Sequence, residues 1–85
     1  MIPLSAVNTG EEFKIIKIYG GRGIMKKFFD MGINPNSLCK VISNPGKGPV
    51  IIEKDGIRVG IGYGMAKKIF VQIYNEGDFK NEKRD

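Results

Sequence analysis

Histidine and tryptophan are absent from this chain, and cysteine occurs once, at Cys39. Each gap removes a class of function. Without histidine there is no side chain whose ordinary pKa suits a general base near neutrality. Ser5, Ser37 and Ser43 have no imidazole to take a hydroxyl proton, and Cys39 has none to hold its thiolate. A lone thiol in a strand-like run reads as a core residue; it closes no intrachain disulfide and supplies no tetrahedral sulfur site. Transition-metal sites commonly draw on imidazole, and only carboxylates and one thiol are on offer here. Glu11, Glu12, Glu53 and Asp55 fall on turns or strand ends of a chain with net charge +5, which suits solvated surface. Gly46-Lys47-Gly48 has neither the spacing nor the hydroxyl of a phosphate-binding loop. These residues assign no catalytic, cofactor-binding or metal position. The expectation is a non-enzyme without a cofactor.

Long apolar runs are missing too. None approaches the roughly 18 residues of a membrane helix, and residues 1–10 lack the basic-then-apolar order of a signal peptide. With the unpaired cysteine, this predicts a soluble chain in a reducing cytoplasm, with no direct membrane insertion. Eighty-five residues make one domain with one thin core.

Turns and short apolar stretches make up most of the chain. Twelve glycines and four prolines punctuate it. Residues 12–19 (EFKIIKIY) read as a strand, with Phe13 and Ile15 on one face and Ile16 and Ile18 on the other. Gly20 to Gly23 break it; a tight strand-to-helix turn explains these glycines better than an anion site helped by Arg22. In residues 24–31 the period changes: Ile24, Phe28 and Met31 recur at i, i+4 and i+7, predicting a short helix that packs on the sheet. Gly32 suits its C-terminal cap and Pro35 prevents continuation. Residues 37–44, 50–54, 57–61 and 69–74 read as four further strands. Asp55-Gly56 between two of them is a two-residue hairpin signal. Residues 62–68 read as a brief turn. The predicted fold is mainly β, a small five-stranded barrel with one short helix inserted between strands one and two. Residues 1–74 form the domain, and the polar residues 75–85 are expected to fray.

Charge narrows the partner class. Residues 75–85 hold four acids and three bases, leaving eleven bases and five acids, or +6, on the body. An acidic protein, an RNA backbone or an anionic membrane face would each suit that sign. No basic run exceeds two residues and the lysines are scattered, so no nucleic-acid partner is expected. RNA binding is the alternative reading.

Several segments together resemble the FeoA family of ferrous-iron transport accessory proteins. They are Pro3-Leu4-Ser5 with Gly10-Glu11, the Gly20 to Gly23 turn, and Phe29 with Met31-Gly32-Ile33 and Pro35. Gly48-Pro49-Val50, then Ile61, Met65-Ala66 and Ile69, complete the pattern over residues 2–73. The resemblance implies an SH3-like barrel and a role in ferrous iron uptake, through contact with the cytoplasmic part of a FeoB-like membrane transporter. It also implies a cytoplasmic chain, recruited to the inner face of the membrane by that partner. The iron-dependent repressors carry a similar barrel, so a regulatory role is the other reading of the same fold. The chain departs from the family at Asn36, where glycine is usual, at Lys26-Lys27, where an arginine precedes the turn, and at the glycine-rich Gly62-Tyr63-Gly64 step. Asn36 tolerates a left-handed backbone, so the turn survives there. Candidate partner contacts are Arg22 in the glycine-rich turn, Met25, Lys26 and Phe29 on the helix, Lys47 between two prolines, and Tyr63 at a strand end.

Overall fold

A computed structural model describes residues 1–20 and 22–74. The elements run β1 (Ile2–Pro3), a 3₁₀ turn (Leu4–Ala6), β2 (Glu12–Ile18), α1 (Arg22–Asp30), β3 (Leu38–Ser43), β4 (Val50–Lys54), β5 (Ile57–Ile61), α2 (Tyr63–Ala66) and β6 (Ile69–Ile73). The strands form one antiparallel sheet in the order β1-β6-β2-β3-β4-β5. β2 to β5 make a meander, and β6 returns to the free side of β2. The inserted helix lies between the first two long strands, as the sequence predicts.

Three details differ from the sequence reading. The lead-in residues add a sixth, two-residue strand, and β1 and β5 end the ladder without pairing with each other. Too short for any periodicity, Ile2–Pro3 becomes a strand only because β6 offers it a ladder, with Ile2 opposite Val71 and Pro3 opposite Phe70. The expected turn at residues 62–68 contains one α-helical turn, in which Ala66 and Lys67 donate to the carbonyls of Gly62 and Tyr63. The expected fraying of residues 75–85 lies outside the described residues.

Alternation fills the core. Phe13 and Ile15 of β2, Cys39 and Val41 of β3, Val50 and Ile52 of β4, Val59 and Ile61 of β5, and Ile69 and Val71 of β6 all point inward. Leu4 and Val7, on the lead-in, are fully buried beside them, and no charged side chain is buried among the described residues. Cys39 is core, and burial pushes its thiol up to about 11, with Lys54 pulling the other way.

The sheet bends where its register slips. A bulge between Ile15 and Lys17 in β2 and another between Val41 and Ser43 in β3 add twist. The β4–β5 turn places Asp55 at φ 52° and Gly56 at φ 82°, the doubly left-handed pair that the Asp-Gly signal predicts. Asn44 fastens the amino-terminal segment: its amide nitrogen donates to the carbonyls of Ser5 at 3.0 Å and Val7 at 2.7 Å.

Candidate functional site

Helix α1 presents two kinds of surface. Phe28 is 2% exposed in the core, with Ile24 and Met31 packed partly against it. Phe29 is 72% exposed and Met25 is 53% exposed. Met25 and Phe29 are four residues apart and therefore neighbours on one helix face. Below them lies an apolar groove of about 320 Å³, walled by α1, by the bulged part of β2 and by the segment leading to β3. Met25, Phe29, Ile16, Ile18, Ile33 and Pro35 form most of its lining.

Local sequence fixes each wall. The helix ends in a Schellman cap: Gly32 at φ 77° donates to the Phe29 carbonyl at 2.9 Å, and Ile33 donates to the Phe28 carbonyl at 2.8 Å. That cap turns Ile33 back into the core beside Phe28. The chain then makes a turn in which Ser37 N–H donates to the Asn34 carbonyl at 2.9 Å and Asn34 N–H donates to Ser37 Oγ at 2.9 Å. Pro35 at the second position and Asn36 at φ 75° at the third match a type II turn. Asparagine thus takes the left-handed position that Asn36 was expected to tolerate. Asn36 N–H also donates to the Ile15 carbonyl at 3.1 Å, pinning this wall to β2 at the bulge. The bulge turns Ile16 outward, where it lines the groove and stays exposed.

The groove is apolar with a basic border. Lys17 and Asn34 are its polar lining residues, and Arg22, Lys26 and Lys27 are exposed on the same helix, with Asp30 the one acid there. The lining holds no carboxylate, hydroxyl or thiol side chain.

The sequence-derived contact residues separate into two groups. Met25 and Phe29 line the groove, and Arg22 and Lys26 share their helix. Lys47 sits exposed in the loop between β3 and β4, and Tyr63 opens α2; neither lines the groove. Sequence reasoning missed Ile16 and the 33–35 wall. The alternation of β2 marked Ile16 as facing away from Phe13, but the bulge that turns it toward α1 has no signature in the residues.

The FeoA domain model matches residues 2–73, all but the ends of the described chain. The chain belongs to the FeoA domain family. A Methanocaldococcus jannaschii protein, provisionally named Fe(2+) transport protein A, is 45% identical over 83 residues, covering 98% of this chain and 99% of the relative. Among solved structures, the crystal structure of an iron uptake regulatory protein, FeoA, superimposes with TM-score 0.73 at 30% identity, covering 86% of this chain and 96% of that one. A FeoA-like protein from Clostridium acetobutylicum matches with TM-score 0.68 at 25% identity over 87% of each chain. The FeoA protein of Chlorobium tepidum matches in fold, with TM-score 0.78 at 19% identity over 87% of this chain and 71% of that one. The small SH3-like architecture is therefore the FeoA fold, and α1 with its groove lies within the matched domain.

Proposed function

We propose that this chain is a non-enzymatic accessory component of ferrous iron uptake, working by contact with the cytoplasmic part of a FeoB-like membrane transporter. Family membership and the name of the 45% identical relative support the iron-transport assignment. The observation that carries the contact reading is the groove under α1, where Phe29 stands 72% exposed beside Met25 above an apolar floor. An aromatic side chain this exposed on a nine-residue helix adds nothing to the chain's own core. It supplies what a partner surface buries at the centre of an interface. The basic residues flanking it steer an acidic partner toward the groove. The chain works in the cytoplasm, held at the inner face of the membrane by its transporter. No step of iron chemistry is assigned to its own side chains.

Titration calorimetry with the transporter's cytoplasmic P-loop domain tests this reading. Saturable binding is expected, and Phe29→Ala should weaken it about thirtyfold, the effect of losing about 2 kcal/mol at an interface centre. Lys47→Ala and Tyr63→Ala should leave it unchanged. No heat of binding for the wild-type chain across several salt and nucleotide conditions would contradict the contact role.

A further inference from the structure

A second surface lies on the outward side of β2 and β6. Lys14 pairs with Gln72 and Lys17 with Phe70 across the ladder. Tyr19 N–H donates to the Lys68 carbonyl at 2.8 Å and Tyr74 N–H to the Glu12 carbonyl at 2.8 Å, so the two tyrosines extend the ladder at its opposite ends. Their neighbours Phe13, Ile15, Ile69 and Val71 are buried, which by strand alternation turns this set outward. Lys17 Nζ lies 4.8 Å from the centroid of the Tyr19 ring, and Lys14 Nζ lies 5.8 Å from that of Tyr74. The rings of Tyr19 and Phe70 meet edge to face at 5.3 Å. Three rings and two ammonium groups thus share the face, each ammonium beside one of the tyrosines. In the linear sequence the same residues look scattered.

We propose that this face binds single-stranded nucleic acid, with bases stacking on Tyr19, Phe70 and Tyr74 and phosphates paired with Lys14 and Lys17. A backbone-tracking positive charge combined with aromatic platforms is what sequence-tolerant single-strand binding requires. The four steps along the strand from Phe70 to Tyr74 span about 13 Å, room for two or three nucleotides. Gln72 and the tyrosine hydroxyls place polar groups where base edges would lie. Glu12, beside Tyr74, is the acid at one end and directs the phosphates toward the Lys17 end. An acidic protein would satisfy the lysines and leave the rings unstacked. A lipid surface would call for protruding apolar side chains, and Phe70 lies half-buried in the sheet. The net charge of +5 gives the long-range attraction. The surface is separate from the partner-contact reading except at Lys17, which also borders the groove.

Fluorescence anisotropy of the full chain with a labelled oligouridylate about twelve nucleotides long tests the proposal. Two phosphate contacts predict an affinity about sevenfold weaker at about 200 mM than at about 50 mM salt. Tyr19→Ala and Tyr74→Ala should each weaken binding at least about fivefold. Lys17→Gln should flatten the salt dependence, and Lys47→Gln, which removes the same charge from the β3–β4 loop, should not. Circular dichroism checks that each variant is folded. Any one of three results would overturn the proposal. The first is no binding at low salt. The second is an equal effect of Lys47→Gln and Lys17→Gln with the tyrosine variants silent. The third is retention by anionic vesicles or by the transporter domain that depends on Tyr19 while the oligonucleotide is not bound.

Discussion

Phe28 and Phe29 are the same residue type at adjacent positions of one helix, and they do opposite work. About 100° of helical rotation separates them. Phe28 is 2% exposed and belongs to the core; Phe29 is 72% exposed and caps the groove. In a domain with one thin core, the inward half of α1 holds the helix onto the sheet. Its outward half leaves Met25 and Phe29 at the surface, and that is the half the proposed contact would use.

Truncating the inward member should have the largest effect. Phe28→Ala removes a ring from the core and is expected to cost about 3–5 kcal/mol in denaturant unfolding. In so small a domain that leaves little or no folded chain. A loss near zero would mean that α1 is not held by its inward face.

The next largest effect concerns the core under β3. The buried thiol of Cys39 has its pKa pushed from 9.0 up to about 11. An acid with a raised folded-state pKa is neutral in the native chain while already ionised in the unfolded one. Its contribution is complete below about pH 9 and is lost as pH rises from about 9 to about 11. Over those two units the loss amounts to about 2–3 kcal/mol. Unfolding across that range should therefore fall more steeply for the wild type than for Cys39→Ala. Parallel curves would show that the thiol is not desolvated.

Gly32 joins the two halves, because its cap aims Ile33 into the core and starts the groove's far wall. Its φ of 77° is the difficulty for any other residue, since the nearest atom to an added Cβ is Lys54 Nζ at 4.0 Å. Gly32→Ala should cost about 1–2 kcal/mol from backbone strain alone. A larger cost would point to a clash the geometry does not contain.

The outward member gives the smallest change in stability. Phe29→Ala should alter unfolding by no more than about 0.5 kcal/mol, as for other surface positions. If it matched Phe28→Ala, the distinction between the two phenylalanines would collapse.

The sequence made the inward half easier to read than the outward half. Spacing at i, i+4 and i+7 identified Ile24, Phe28 and Met31, and the Gly32 and Asp-Gly signals fixed where elements end, because local backbone sterics decide those features. Leu4 and Val7 escaped notice as core, since a three-residue 3₁₀ turn has no periodicity. The groove was half legible. Met25 and Phe29 stood out as apolar residues on the helix face away from Phe28, while Ile16 joined them through a bulge set by cross-strand register and Ile33 through the chain direction that the Gly32 cap sets. Lys47 and Tyr63 looked suited to binding one by one, yet nothing in the sequence could show that the fold places them outside the groove lining.

The central claim is that the partner seats in the groove under α1. Amide chemical-shift mapping on titration with the transporter's cytoplasmic P-loop domain tests it most directly. The account predicts that shifts concentrate at residues 15–18, 25–29 and 33–35 and leave Lys47 and Tyr63 still. Shifts centred on those two residues, with the groove unmoved, would contradict it.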